Sequence, residues 1–344
     1  MDKNFAFLKN KKILITGNTG FKGVWLSKVL SYYTKNIYGI SIDIPTKPSL
    51  YKLVKIKKNL KKQFFFNISN FYKLSRTIKK IKPDLIFHMA AQPLVIEGYK
   101  NPYDTYFTNI IGTLNILEIQ RISDKKIPTI IITTDKVYDN SKVKIYKESD
   151  LLGADDPYGN SKVSVELMIK TYIKSYYSNK NCPIAVARSG NVIGGGDYSA
   201  NRLIPDFFKS QKVYLRNPDQ IRPWQHVIEP TVGYLLLAKH LMKKKINNKN
   251  YSWNFGPKKS NFLKVKHIIN FLKKKFPEKK IYIKKNKYKE TNVLKLNSNK
   301  SKKYLNWKQK LSMKDTLNYI SDYYSIDTKV EDLINKQIHE YFRK

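Results

Sequence analysis

Cysteine is almost missing. The 344 residues contain one, Cys182, which excludes an intrachain disulfide and a zinc site built from cysteines. A reducing compartment, the cytoplasm, is the expected setting. Histidine is scarce, five residues with no H-E-x-x-H pattern, so no metal is expected. No stretch approaches the ~20 consecutive apolar residues that a membrane span needs. The charged stretch Met1–Lys12 precedes an apolar run, Ile13–Thr16, that is too short for a secretory signal. These absences exclude a disulfide scaffold, an integral membrane protein and a fibre. What is present, 41% hydrophobic and 13% aromatic residues, excludes a disordered chain. At roughly 150 residues per domain the length fits one large domain or two interlocked ones.

Acidic residues are also few, 26 against 66 Lys and Arg, giving a formal net charge of +40. Between Lys239 and Lys310 there are 24 Lys, no Arg and two acids, Glu278 and Glu290. Bidentate readers of phosphate and bases favour Arg, and the chain is rich in Asn, Ile and Tyr as well. The expectation is therefore a solvated lysine surface produced by compositional bias, with no specific nucleic-acid partner. A polyanion-binding protein using this lysine-rich region is the reading from another class. Either way the surface attracts anionic small substrates.

Strand and helix patterns alternate through the first half. Lys12–Thr16, Ile37–Ile42, Phe64–Asn67, Asp84–His88, Ile127–Thr133 and Ile184–Arg188 read as strands. Phe21–Tyr33, Tyr72–Ile81, Pro102–Gln120 and Tyr158–Tyr177 read as helices. The alternation specifies an α/β fold, a Rossmann-type doubly wound parallel sheet with helices on both faces, whose ligands bind beyond the carboxyl ends of the strands. After Arg188 the pattern breaks at Gly194-Gly195-Gly196 and several prolines, and a smaller α+β substrate-binding region is expected. Ile228–Met242 reads as a helix returning to the main sheet. The division this suggests is 1–190 with 226–256 for a dinucleotide-binding domain, and 191–225 with 257–344 for a substrate domain. Lysine runs at Lys243–Lys245 and Lys273–Lys275 are expected to end helices, where cations suit the dipole.

Gly17-Asn18-Thr19-Gly20-Phe21-Lys22-Gly23 follows the first strand and opens a helix. Its glycines permit a tight turn and close approach of a pyrophosphate to free backbone N–H groups. The spacing G-x-x-G-x-x-G is a variant of the dinucleotide fingerprint, and glycines that merely end a strand are the alternative. Asp43, at the end of the second strand, would accept ribose hydroxyls and repel a 2′-phosphate, favouring NAD over NADP. Tyr158 and Lys162 stand four apart, on one face of a helix. An ammonium there would pull the phenol from ~10 toward neutrality and make Tyr158 a base for a substrate alcohol. Such a pair also arises by chance in a chain with 25 Tyr. Thr133-Thr134-Asp135-Lys136 ends the fifth strand and brings hydroxyl, carboxylate and amine to the crevice. An ordinary surface ion pair between Asp135 and Lys136 is the competing view.

These constellations resemble those of the extended short-chain dehydrogenase/reductases, the family of nucleotide-sugar epimerases and dehydratases. Further segments point to the 4,6-dehydratases within it. They are GFKGVWLS (20–27), HMAAQPLV (88–95), TTDKVY (133–138), DPYGNSK (156–162), RSGNVIGGGD (188–197), RLIPD (202–206), RNP (216–218), IRPWQHVIEP (221–230) and WNFGP (253–257). The match runs in order from about Lys12 to Pro257 and is loose beyond. The resemblance implies NAD held by Gly17, Thr19, Gly20, Phe21, Lys22, Gly23, Asp43, Asn67, Ile68, Ala90, Ala91, Gln92, Asn109, Thr133, Tyr158 and Lys162. It implies a nucleotide-sugar substrate, CDP-glucose, contacted by Gln92, Asn191, Arg202, Leu203, Arg216, Arg222 and His226, although His226 also reads as a core residue. His88 reads as a packed strand-end residue. The chemistry implied is oxidation at C4, loss of water across C5 and C6, and return of hydride to C6, as used in deoxysugar and surface-polysaccharide biosynthesis. Tyr158 with Thr134 and Lys162 would serve the oxidation, Asp135 the leaving hydroxyl as acid, and Lys136 the C5 proton as base. Lys136 stands where dTDP-glucose dehydratases carry an acid. Asn67-Ile68-Ser69-Asn70 departs from the family's acidic pair at the end of the third strand. A homodimer or tetramer is the implied assembly. GDP-mannose or dTDP-glucose dehydration, sugar epimerisation, and an NAD-binding regulator without turnover are the other readings.

Overall fold

A computed structural model describes every residue except 1, 142–143, 178–181, 244–245, 248–249, 285–287, 289–290, 292 and 326–327. The apolar runs of the first half form β1 (Ile13–Thr16), β2 (Ile37–Ser41), β3 (Lys62–Phe65), β4 (Leu85–His88), β5 (Thr129–Ile132) and β6 (Ile184–Ser189). Short strands follow as β7 (Val192–Ile193), β8 (Lys212–Leu215), β9 (Ile221–Pro223) and β10 (Gln225–His226). The chain then adds β11 (Ser252–Phe255), β12 (Phe262–Lys264) and β13 (Lys280–Ile283).

The main sheet has the order β11-β6-β5-β4-β1-β2-β3, and every neighbouring pair is parallel. This is the expected doubly wound sheet. From β1 the chain builds outward through β2 and β3, then crosses back to β4 on the other side. A crevice therefore opens at the carboxyl ends of β1 and β4. β1, β4 and β5 are buried along their whole length, which is why they read as unbroken apolar runs. β3 lies two residues earlier than its apolar run predicts. It is an edge strand, Phe65 is half exposed, and pairing of Lys62 to Phe65 with Tyr38 to Ser41 sets its position.

The segment expected as one helix from Pro102 to Gln120 is Pro102–Tyr106 and Gly112–Ile122 joined by a π-turn at Phe107–Ile111, with Asn109 buried in it. π-turns concentrate at functional sites. The helix Pro157–Tyr176 starts where it does because Pro157 suits a first helical position and the Asp156 carboxylate accepts the Gly159 N–H at 2.9 Å. That cap fixes Tyr158 in the first turn.

Beyond β6 three two-stranded ladders, β7 with β10, β9 with β12 and β8 with β13, surround a smaller core of Ile193, Ile204, Phe207, Val213, Trp224 and Ile268. Ile228–Met242 returns to the main core, and β11 joins the sheet beside β6. The last helix, Val330–Arg343, also packs there through Leu333, Ile334, Ile338 and Tyr341. Lys28 and Glu331 tie it to the Phe21–Leu30 helix at 2.7 Å. Lys243 caps the Ile228–Met242 helix, and Lys273–Lys275 form the exposed end of Val265–Lys275. Lys244, Lys245 and Glu290 lie outside the described residues.

Glu229 is the buried knot of this arrangement. Its Oε1 accepts the N–H groups of Lys310 (2.9 Å) and Leu311 (2.7 Å), and its Oε2 accepts the Tyr341 hydroxyl (2.8 Å). Burial pushes the carboxyl up to about 7 despite those donors. A raised carboxyl pKa means the fold prefers the neutral acid. Its contribution is therefore complete below the unfolded value of 4.5 and is lost as pH rises through about 7, a change of about 3 kcal/mol. Glu229→Gln stays neutral, so denaturant unfolding of the variant should lack this decline. Parallel stability profiles of variant and parent would rule the account out.

Candidate active site

The glycine turn lies at the carboxyl end of β1. Gly17 has φ of +75°, and a Cβ there would sit 2.7 Å from the backbone N of Ala90. A Cβ on Gly23 would meet the Gly17 carbonyl at 2.2 Å, so Gly23 permits the close approach of helix to turn. Gly20 differs: nothing lies nearer to its added Cβ than 3.5 Å. It is the N-cap of Phe21–Leu30 and has no side-chain cap, which leaves the first helical N–H groups for a ligand. The Thr19 hydroxyl donates to the Asp43 carbonyl at 2.7 Å, holding exposed Asp43 beside the turn. Free N–H groups, an unfilled position at Gly20 and an adjacent carboxylate fit a dinucleotide.

A cavity of about 280 Å³ opens next to it. One wall comes from the sheet: Lys22, Thr133 to Lys136, Tyr158 and Asn191. The other comes from the smaller lobe, with Arg202, Leu203, Arg216 and Arg222. Asp135 is 3% exposed. Its Oδ1 accepts the Thr134 hydroxyl at 3.1 Å, and its Oδ2 is buried with no partner among the described residues. Burial raises its pKa, opposed by the charges of Lys136 and Arg222. Such a carboxyl holds a proton more readily than an exposed one and is placed to hand it to a ligand.

The phenol of Tyr158 corrects one expectation. Burial pushes it up to about 12, and the groups opposing that are Thr134, by hydrogen bonding, and the Arg202 charge. Lys162 is not among them. It is itself buried and lowered to about 8 by that burial, while Glu166 one turn further along raises it. Desolvation of the phenolate outweighs the nearby cations. Lys22 is likewise lowered to about 8 by burial and by Arg202 and Lys162, and its Nζ donates to Ser189 Oγ at 3.3 Å.

Other expected contacts turn out to be braces. The Gln92 amide donates to Leu94 O (3.1 Å) and Thr105 Oγ1 (2.8 Å) and accepts Leu94 N–H (2.6 Å). Asn109 accepts the Gln92 N–H and donates to Ser161 Oγ, both at 2.8 Å, tying the loop after β4 to the Tyr158 helix. Ala90 N–H donates to Thr16 Oγ1, and Ala91 follows in the same half-buried loop. Asn67 accepts the Ser69 N–H in a local turn, and Ile68 is buried against Gly112. Thr133 donates to Glu166 at 2.7 Å. His88 is packed between Thr16 and Thr113, as expected of a strand end. His226 does not line the cavity. It is fully buried, edge-on to Trp25 and Tyr319, because the β7–β10 ladder turns it into the core.

Sequence reasoning missed Ser189, Asp197 and the buried Glu166–Arg188 ion pair, which Tyr138 completes with a 2.7 Å bond to Arg188. The position of Glu166 four residues after Lys162, on one helical face, was the available signal. Asp197 pairs with Arg202 at 2.9 Å.

Fold and site together define a Rossmann-type protein of the extended short-chain dehydrogenase/reductase class. Within it the chain belongs to the GDP-mannose 4,6 dehydratase family, whose model matches residues 14–320. It is 36% identical to CDP-glucose 4,6-dehydratase of Salmonella typhimurium over 99% of this chain and 98% of that one. It is 25% identical to UDP-glucose 4-epimerase of Mycoplasma pneumoniae, covering 91% and 98%. Among solved structures, dTDP-glucose 4,6-dehydratase of Bacillus anthracis in complex with NAD has the same fold, with TM-score 0.76, 23% identity and coverage of 94% and 99%. The dTDP-glucose 4,6-dehydratase of Streptomyces venezuelae gives TM-score 0.78 at 19% identity, covering 93% and 99%.

Proposed function

We propose that the protein dehydrates CDP-glucose to CDP-4-keto-6-deoxyglucose with bound NAD, in the cytoplasm, on the way to deoxysugars of surface polysaccharide such as O-antigen. The observation that carries this reading is the buried Asp135 Oδ2, unpartnered among the described residues, in the same cavity as Tyr158 and Thr134. Epimerisation needs the tyrosine alone, whereas elimination needs an acid for the leaving hydroxyl. The CDP-glucose dehydratase relative supplies the substrate.

The backbone N–H groups at Gly20–Gly23 would hold the pyrophosphate of NAD, and Asp43 would take ribose hydroxyls. When bound, NAD supplies a hydride acceptor for C4 and, once reduced, a hydride donor for C6. Tyr158 takes the proton of the 4-hydroxyl, with Thr134 orienting that oxygen. Lys136 takes the C5 proton, which the new ketone acidifies, and returns a proton to C5 once C6 has gained its hydride. Asp135 protonates the 6-hydroxyl, which departs as water. Arg202 and Arg222 meet the diphosphate, for which a guanidinium is well matched. The units doing this are 1–190 with 226–256 and 191–225 with 257–344, the latter returning its last helix, Val330–Arg343, to the core of the first. We place the contact of a homodimer on the adjacent helices that leave Tyr103, Phe107 and Leu167 exposed.

Incubation with CDP-, dTDP- and GDP-hexoses should yield a ketone from CDP-glucose, and failure with all of them would sink the reading. Gly20→Val offers a narrower check. An added Cβ is accommodated there, so the melting temperature should hold. The dinucleotide released on denaturation should fall at least about tenfold, since a branched side chain would fill the pyrophosphate position. Undiminished cofactor content would move the cofactor elsewhere.

A further inference from the structure

Three arginines of the smaller lobe face the cavity, and two of them are already engaged. Arg202 holds Asp197 at 2.9 Å. Arg222 donates to Gln220 Oε1 at 2.6 Å and to the Ile221 carbonyl at 3.1 Å. Arg216 differs. Its Nη2 donates to the Asn201 carbonyl at 2.7 Å, while its Nη1 is buried and has no partner among the described residues. The Asp206 carboxyl lies on the same wall, and the Arg216 charge acts on it. It follows directly on β8, on the lobe's side of the cavity, whereas Tyr158 and Asp135 stand on the sheet's side. Half-buried Leu203 and Val265 line the same cavity and offer apolar contact to a flat ring.

We propose that Arg216 is a specificity-determining residue that reads the base of the substrate, selecting cytosine by donating to its N3 and O2. The proposal rests on the dehydratase reading for its ligand class and goes beyond it in assigning the base preference to one side chain. The chemistry is a matching of donors. A guanidinium only donates. Cytosine presents two adjacent acceptors, N3 and O2. Uracil and thymine carry a proton on N3, which would set a donor against a donor; guanine meets the same clash at N1, and its O6 and N7 acceptors lie on the opposite edge of a larger ring. A buried donor left facing another loses about 10- to 100-fold in affinity. Asn217, next in the chain and lining the same cavity, carries an amide oxygen of the kind that the cytosine N4 amine requires.

The test is competition binding of CDP, UDP, dTDP and GDP to the purified full-length protein, as wild type, Arg216→Met and Arg216→Lys. Wild type should prefer CDP at least about tenfold. In both variants the preference should collapse to within about threefold, with diphosphate binding retained through Arg202 and Arg222. Arg216→Lys keeps the charge near Asp206 and gives the reading if Arg216→Met fails to fold. Equal binding of all four nucleotides by wild type overturns the proposal. So does a uniform loss in the variants with the CDP preference intact, which would make Arg216 a phosphate or structural contact. A protein that prefers CDP through Arg216 but forms no ketone from CDP-glucose would leave this inference standing and remove the dehydratase reading instead.

Discussion

Tyr158→Phe should reduce ketone formation from CDP-glucose by roughly 10²- to 10⁴-fold, the range for loss of a positioned acid–base group. The change removes one oxygen from a side chain that is 9% exposed, so folding and cofactor content should persist. The phenol matters because Thr134 and Arg202 both act on it to favour the deprotonated form. With burial holding it up to about 12, few molecules of the free enzyme carry the phenolate at neutral pH. Deprotonation rises with pH, so kcat/KM, which reports groups of the free enzyme, should climb through the range where a phenol near 7 would already be saturated. A plateau below about pH 7 would restore the Lys162-lowered phenol expected from helical spacing. Unchanged turnover in Tyr158→Phe would remove the base altogether.

That contrast marks what the chain discloses before it folds. The buried strands Ile13–Thr16 and Thr129–Ile132 are legible because a strand covered on both faces must be apolar throughout. Tyr158 and Lys162 are legible as neighbours because helix periodicity is local. Their titration is not, since desolvation depends on how much chain from elsewhere covers them. The edge strand Lys62–Phe65 was displaced because one side of it meets solvent and pairing alone sets its register. Gln92 and Asn109 sit in segments that the resemblance marks for ligands, yet their amides are used in bracing the loop to the Tyr158 helix. Both uses look alike in a motif, because a site needs its loops held as much as its ligand bound. His226 shows the reverse: a polar residue in a conspicuous motif, taken into the core by a two-residue ladder.

Asp135→Asn should divide the reaction. The amide keeps the size of the carboxyl and can still accept the Thr134 hydroxyl, but it has no proton to give. Water loss should slow by about 10²- to 10³-fold, while Tyr158 and Thr134 still serve oxidation at C4. Reduced cofactor should therefore accumulate after mixing with CDP-glucose, visible as near-ultraviolet absorbance that decays slowly. The fold should tolerate the change. The carboxyl is already pushed toward its neutral form by burial, so a neutral amide removes a desolvation penalty and the melting temperature should hold or rise. Lys136→Met separates the two partners, because it spares the acid and removes the amine proposed for the C5 proton. It should also accumulate reduced cofactor, and exchange of the C5 proton with solvent deuterium should stop, whereas Asp135→Asn should still exchange it. If Asp135→Asn slows C4 oxidation and water loss equally, with no rise in absorbance, the carboxyl is an electrostatic partner of Lys136 and Arg222 and the leaving hydroxyl takes its proton from another group.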